Sequence, residues 1–159
     1  MSGDPKFIVD ASLTGLARWL RLLGYDAAIY GNEAGRPMMR QAQSQARILL
    51  TRRRDMMERQ FTGQLLLLPE TGVGGQLFFV VSKLSLEISK EKMHTRCLGC
   101  NEPVIPVEKE NIRDRVPQFV FENCGHFNQC PKCRKIYWPG THQRNALGFL
   151  EKHHITISG

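Results

Sequence analysis

Apolar residues in the first part of the chain switch repeatedly between short unbroken runs and helical spacing. Phe7-Ile8-Val9 is a three-residue β-run that ends at Asp10. Ser12 can N-cap a helix, and Leu13, Leu16, Ala17, Leu20 and Leu23 then recur at i, i+3, i+4 and i+7, lining one helix face. Gly24 stands where a C-terminal cap is expected. Ala27–Tyr30 is a second short strand, closed by Gly31-Asn32, and Pro37 opens a helix predicted over Met38–Ala46. Ile48–Thr51 is the third strand, followed by Arg52-Arg53-Arg54 and a short helix around Asp55–Gln60. Leu65–Leu68 is continuously apolar, as buried parallel strands are. After the Gly72–Gly75 loop the last helix is predicted over Gln76–Ile88, although Phe78–Val81 also suits a strand.

This alternation of strand and helix implies an α/β fold: a parallel sheet of about four strands, right-handed crossovers and helices on both faces. In such sheets ligands gather at the carboxyl ends of the strands. Asp10 falls there after the first strand and Thr51–Asp55 after the third, distant in sequence but candidates to meet in space. A charged stretch, Ser89–Arg96, leads into a C-terminal module, so the expected division is residues 1–93 and 94–159. Within the module, Pro117–Glu122 and Lys135–Trp138 read as strands. His153 and His154 fall in an expected mobile tail and carry no clear signal.

Two Cys-x-x-Cys pairs give the module its chemistry. Cys97-Leu98-Gly99-Cys100 and Cys130-Pro131-Lys132-Cys133 are separated by 29 residues. Each pair is a tight turn that aims two sulfurs at one point, and four thiolates so delivered match a structural zinc site. A single redox Cys-x-x-Cys beside a βαβ unit would look different. The fifth cysteine, Cys124, makes the count odd, which argues against a secreted disulfide framework. His126 and His142 are conceivable substitute ligands, but a complete four-cysteine set leaves them no vacancy. Four thiolates also fill the tetrahedron, so this zinc holds a fold and any catalysis belongs elsewhere.

At 159 residues, 42% of them hydrophobic, the chain suffices for one ordinary core plus a small metal-stapled module. The polar start, Met1–Lys6, lacks the apolar core of a signal peptide, and the apolar runs are too short to span a bilayer. A soluble cytoplasmic protein without a membrane partner is therefore expected. The formal net charge of +7 favours a polyanionic partner. Residues 1–96 hold 14 Lys/Arg against 9 Asp/Glu, and residues 97–159 hold 8 against 6. The zinc–thiolate centre cancels the small excess of the second part, so the surplus lies in the first, mostly as arginine. Arginine suits bidentate phosphate contacts, which makes RNA or DNA the natural partner. No Walker loop, dinucleotide fingerprint or nucleophile elbow is present.

Longer blocks narrow this further. Phe7–Asp10 followed by Leu16-Ala17-Arg18-Trp19-Leu20-Arg21-Leu22-Leu23-Gly24-Tyr25-Asp26, and then Arg47–Arg52, resembles the start of the Mut7-C RNase family. So do Arg113-Asp114-Arg115-Val116-Pro117, the two cysteine pairs, Ile136-Tyr137-Trp138 and Gly140-Thr141-His142, together covering roughly residues 6–145. The resemblance implies a PIN-like three-layer domain followed by a zinc ribbon, and a metal-dependent ribonuclease. In such a fold, carboxylates at the strand ends hold Mg²⁺ or Mn²⁺, which activates water and stabilises charge on the phosphate. Asp10 matches the family's first acid. The family's T-R-D triplet reads Thr51-Arg52-Arg53 here, and Gly35–Arg40 lacks the acids usual at the second helix.

The candidates are therefore Asp10 and Asp55 for catalysis, with Glu33 as a possible third acid. Both Asp10 and Asp55 also suit helix-capping roles. Arg18, Arg21, Arg52, Arg53 and Arg54 are candidate RNA contacts, the first two sharing the polar face of the first helix. Arg53 near a divalent ion would oppose it, and the arginines could equally pair with Asp10 or Glu33. Trp19 reads as packing, while Tyr137 and Trp138 could stack a base or cover the module's core. Three roles remain open: a metal-dependent ribonuclease with a depleted acidic site; a catalytically silent reader of RNA, including tRNA or the ribosome; and a ribbon that docks proteins.

Overall fold

Four short strands, β1 (Phe7–Asp10), β2 (Ala27–Tyr30), β3 (Ile48–Thr51) and β4 (Leu65–Leu67), pair in parallel in the order β2-β1-β3-β4. The structure is a computed structural model and describes residues 3–158. In register, Val9 lies opposite Ile29 and Leu50, and Leu50 opposite Leu66. The carboxyl ends of all four strands thus form one edge. Side chains alternate across a strand, so β1 sends Phe7 and Val9 to one face and Ile8 to the other. Phe7, Val9 and Leu50 pack with Leu16, Leu20, Leu77 and Val80 of α1 (Thr14–Leu22) and α3 (Val73–Leu84). Ile8 and Leu49 pack with Met38, Met39 and Ala42 of α2 (Arg36–Ser44) and with Met56. Both faces of the sheet are covered, as the sequence implies.

Several helix boundaries shift for local reasons. A 3₁₀ turn, Ala11–Leu13, precedes α1, and Asp10 caps it in place of Ser12 by accepting from the Ser12 amide at 2.8 Å. Gly24 ends α1 at φ +97°, where a Cβ would come within 2.4 Å of the Lys92 carbonyl oxygen. The segment after β3 is a 3₁₀ helix over Arg54–Glu58. Phe78–Val81 is helical, and α3 begins three residues earlier than its spacing predicts. Gly74 stays bare because the His153 ring lies where its Cβ would be.

The C-terminal module forms a three-stranded antiparallel sheet from β5 (Ile105–Pro106), β6 (Asn128–Gln129) and β7 (Ile136–Tyr137). The strand expected at Pro117–Glu122 is instead a helix, α4 (Gln118–Asn123). Pro117 fits a helix start, and its carbonyl accepts from the Phe121 amide at 2.9 Å. Val120 and Phe121 then turn onto Ile112, Phe127 and Ile136 in the module's small core. The expected mobile tail is also corrected. Helix α5 (Thr141–Lys152) carries Leu150, and the chain after it carries Ile155, into the core of the parallel sheet. Each such buried aliphatic contributes about 1.5–3 kcal/mol. Ser158 extends the attachment, its backbone N–H donating to the Ile88 carbonyl at 2.6 Å.

Candidate metal centre and strand-end cleft

The two knuckles bring their sulfurs together. One sulfur from each of Cys97, Cys100, Cys130 and Cys133 lies within 4.8 Å of the others. The Cys97 and Cys133 sulfurs are 3.7 Å apart, close to the ~3.8 Å edge of a tetrahedron with Zn–S bonds of about 2.3 Å. Within each turn a backbone N–H points at sulfur: Cys100 donates to Cys97, and Cys133 to Cys130, both at 3.4 Å. Tyr137 Oη donates to Cys97 Sγ at 3.1 Å. Burial raises the Cys97 thiol, but the Tyr137 hydroxyl, the Cys100 and Gly99 amides and Cys133 outweigh it, lowering its pKa to about 6. Cys100, donating to Cys133 and partly desolvated, is pushed up to about 12. These residues fit a soft divalent ion such as zinc, which would clamp the two turns. Cys124 lies apart, its thiol 3.6 Å from the Pro139 carbonyl oxygen.

Arg21 anchors this centre to the parallel sheet. Only 5% exposed, it donates through Nε to the Ala27 carbonyl at 2.9 Å and through Nη1 to the Leu98 carbonyl at 2.7 Å. Burial lowers its pKa. This candidate RNA contact thus has its guanidinium enclosed and engaged with carbonyls of β2 and the first knuckle. Asn101 adds a second tie, accepting from the Ala27 amide and donating to Asp26, which also receives Arg47 at 2.7 Å. Burial raises the Asp26 carboxyl, yet these bonds from Arg47 and Asn101 hold it below its usual range.

At the carboxyl edge of the parallel sheet lies a cleft of about 940 Å³. Asp10 from β1, Glu33 after β2, Arg52 and Arg53 after β3, and Glu70 after β4 line it. Asp10 is 8% exposed, and its Oδ1 accepts from both the amide and the hydroxyl of Ser12. Arg53 reaches along the rim: Nη1 donates to the Ala34 carbonyl at 2.8 Å and lies 3.8 Å from Glu33. Its Nε and Nη2 grip Asp55 at 3.1 and 2.8 Å. That bidentate bond raises the Arg53 pKa and lowers that of Asp55.

Asp55 does not line the cleft; held by Arg53 and Arg59, it serves as their counter-ion. The structure thus does not bring it together with Asp10 in the cleft lining. Arg54 is exposed and also outside the cleft lining, and Arg18 is exposed on α1. Glu70 was missed by sequence reasoning. Its signal was an acid just beyond the fourth apolar run, the same position that marked Asp10. Among the described residues the cysteine set is the one group of three or more potential ligands that converges; Asp10, Glu33 and Glu70 do not.

A family model described as the Mut7-C RNAse domain matches residues 5–150. Neither the curated proteins nor the solved structures include a match. Among the described residues no helix is long and apolar enough to cross a membrane.

Proposed function

The chain belongs to the Mut7-C RNAse domain family, a ribonuclease-like family, and from that premise we propose that it is an RNA-directed protein whose strand-end cleft grips phosphate through Arg52. The carrying observation is a guanidinium, Arg53, at the cleft rim, at the position where the family resemblance implies a carboxylate. Arg53 occupies the position after Thr51-Arg52, and Asp55 and the Ala34 carbonyl hold it toward the cleft. Arg52, in no ion pair among the described residues, is the cation left to attract phosphate, while Arg53, paired with Asp55, turns its Nη1 edge toward the cleft against a divalent cation. Asp10 Oδ1, accepting from the Ser12 amide and hydroxyl, supports the turn that shapes the cleft floor. On this reading RNA binding outlasts the hydrolytic chemistry of the family.

One observation favours a second reading, metal-dependent hydrolysis with a reduced acidic set. Three carboxylates from three different strand ends, Asp10, Glu33 and Glu70, share one cleft. Glu33 and Glu70 are exposed, so rotation could bring them toward Asp10 if Mg²⁺ or Mn²⁺ enters.

Binding of a labelled single-stranded RNA across a salt series tests the first reading. Reversing both cleft arginines (R52E/R53E) should weaken binding at least tenfold and flatten the salt dependence by about 0.7 in log–log slope, the share of one lost phosphate contact. Unchanged affinity and slope would remove the cleft from RNA recognition.

A further inference from the structure

A second cavity, of about 610 Å³, opens where α1, the zinc ribbon and α5 meet, and it shares no lining residue with the strand-end cleft. Its walls hold four half-buried aromatic side chains: Trp19, Tyr137, Trp138 and Phe149. Trp19 and Phe149 are already stacked, 4.2 Å between centroids and 14° between planes. Arg18, Arg96 and Lys135 supply the charge, and three histidines add donors.

The formal charge on its walls is of one sign. No aspartate or glutamate is among the described lining residues. Carboxylate partners among the described residues belong to Arg47, Arg53, Arg59 and Lys92, none of which lines this cavity. Among the described residues Arg18, Arg96 and Lys135 form no such pair. Arg96 is fixed by the Asn101 carbonyl at 2.7 Å, and Lys135 Nζ sits 5.5 Å from the centre of the Tyr137 ring. Unneutralised cations beside flat apolar faces call for a ligand that joins a planar aromatic group to an anion. The volume falls within the ~300–1,000 Å³ of small-ligand sites.

We propose that this cavity binds one nucleotide of a single strand, its base beside Trp138 and Trp19, the latter backed by Phe149, and its phosphate toward Arg18 and Lys135. Base–aromatic stacking and phosphate contacts are the two forces that single-strand binders combine. The choice of RNA over DNA rests on the RNA-directed reading above; the cavity itself asks only for a base joined to a phosphate.

Trp19 and Trp138 are the chain's two tryptophans, and both line this cavity. Intrinsic fluorescence therefore reports on it directly. Titration of the full, zinc-loaded chain with oligo(U) should quench the emission. R18E/K135E, which reverses two exposed charges, should shift the midpoint at least tenfold, with the melting temperature as a folding control. K135Q should shift it severalfold. Quenching by free uridine monophosphate would mark a mononucleotide site, and quenching by the oligomer alone a strand site; both support the assignment. Absence of quenching by either ligand, or quenching indifferent to R18E/K135E, overturns it. R52E/R53E separates the two sites, because it should leave quenching by uridine monophosphate intact even if strand binding at the cleft fails.

Discussion

Replacing Arg21 with methionine removes the buried tie between the parallel sheet and the metal centre while keeping most of the side-chain stem. Two good bonds are lost, from Nε to the Ala27 carbonyl at 2.9 Å and from Nη1 to the Leu98 carbonyl at 2.7 Å. Hydrogen bonds from charged donors contribute about 1.5–3 kcal/mol each. Against that, methionine relieves the cost of burying a guanidinium, the same cost that lowers the Arg21 pKa. A net destabilisation of about 2–4 kcal/mol follows. For a chain of this size each kcal/mol moves Tm by about 2–4 °C, so a fall of roughly 4–16 °C is expected in a thermal melt. The first knuckle should loosen as well, because Leu98 lies between Cys97 and the Gly99 carbonyl that Arg21 also approaches. Metal transfer to a chromogenic chelator should therefore accelerate in R21M. Arg21→Lys should rescue little, since one ammonium cannot span both carbonyls. A melt within 1 °C of wild type, with unchanged metal transfer, would refute the tie.

Strong chelation should abolish near-UV signals from Tyr137 and Trp138, whose strand and neighbours depend on the clamped turns; retention of those signals would refute a structural metal. Metal affinity should fall as pH drops, because each thiol must shed a proton to bind as thiolate, and a competition titration across pH reads this. Asp26→Asn should cost about 1–2 kcal/mol at neutral pH. The folded carboxyl is held low, so its contribution is present above the unfolded value of about 3.9 and disappears as pH falls through the lower folded value. Denaturant midpoints of D26N and wild type should therefore converge below about pH 4. Gly24→Ala should cost about 1–3 kcal/mol in the same assay, combining the positive φ with the approach of the Lys92 carbonyl.

Much of this architecture is written in local pattern. The alternation from Phe7 to Leu84 dictates the four strands, and the register then places Asp10 and Thr51 on one edge. The paired knuckles dictate the sulfur cluster, because each four-residue turn is nearly self-sufficient. What stayed hidden depends on contacts between distant segments. Arg18 and Arg21 look alike on the helix surface, yet the knuckle covers only Arg21. Pro117–Glu122 reads like a strand, but Val120 and Phe121 find their partners on Ile112 and Phe127 when it is helical. Leu150 and Ile155 gave no hint that the C-terminus closes the first core. Glu70 acquires meaning only once β4 is known to lie beside β3. The arginine run was visible, but not that Asp55 would be held as its counter-ion and so kept out of the cleft lining.

The most direct test of what Arg53 does at the cleft rim is a Mn²⁺ titration with end-labelled single-stranded RNA, resolved on a denaturing gel for wild type and Asp10→Asn. Salt-sensitive binding without Mn²⁺-dependent cleavage in either protein is the expected result. Cleavage that rises with Mn²⁺ in wild type and vanishes in D10N would contradict it, and would show that Asp10 and the exposed acids of the cleft still gather a metal despite Arg53.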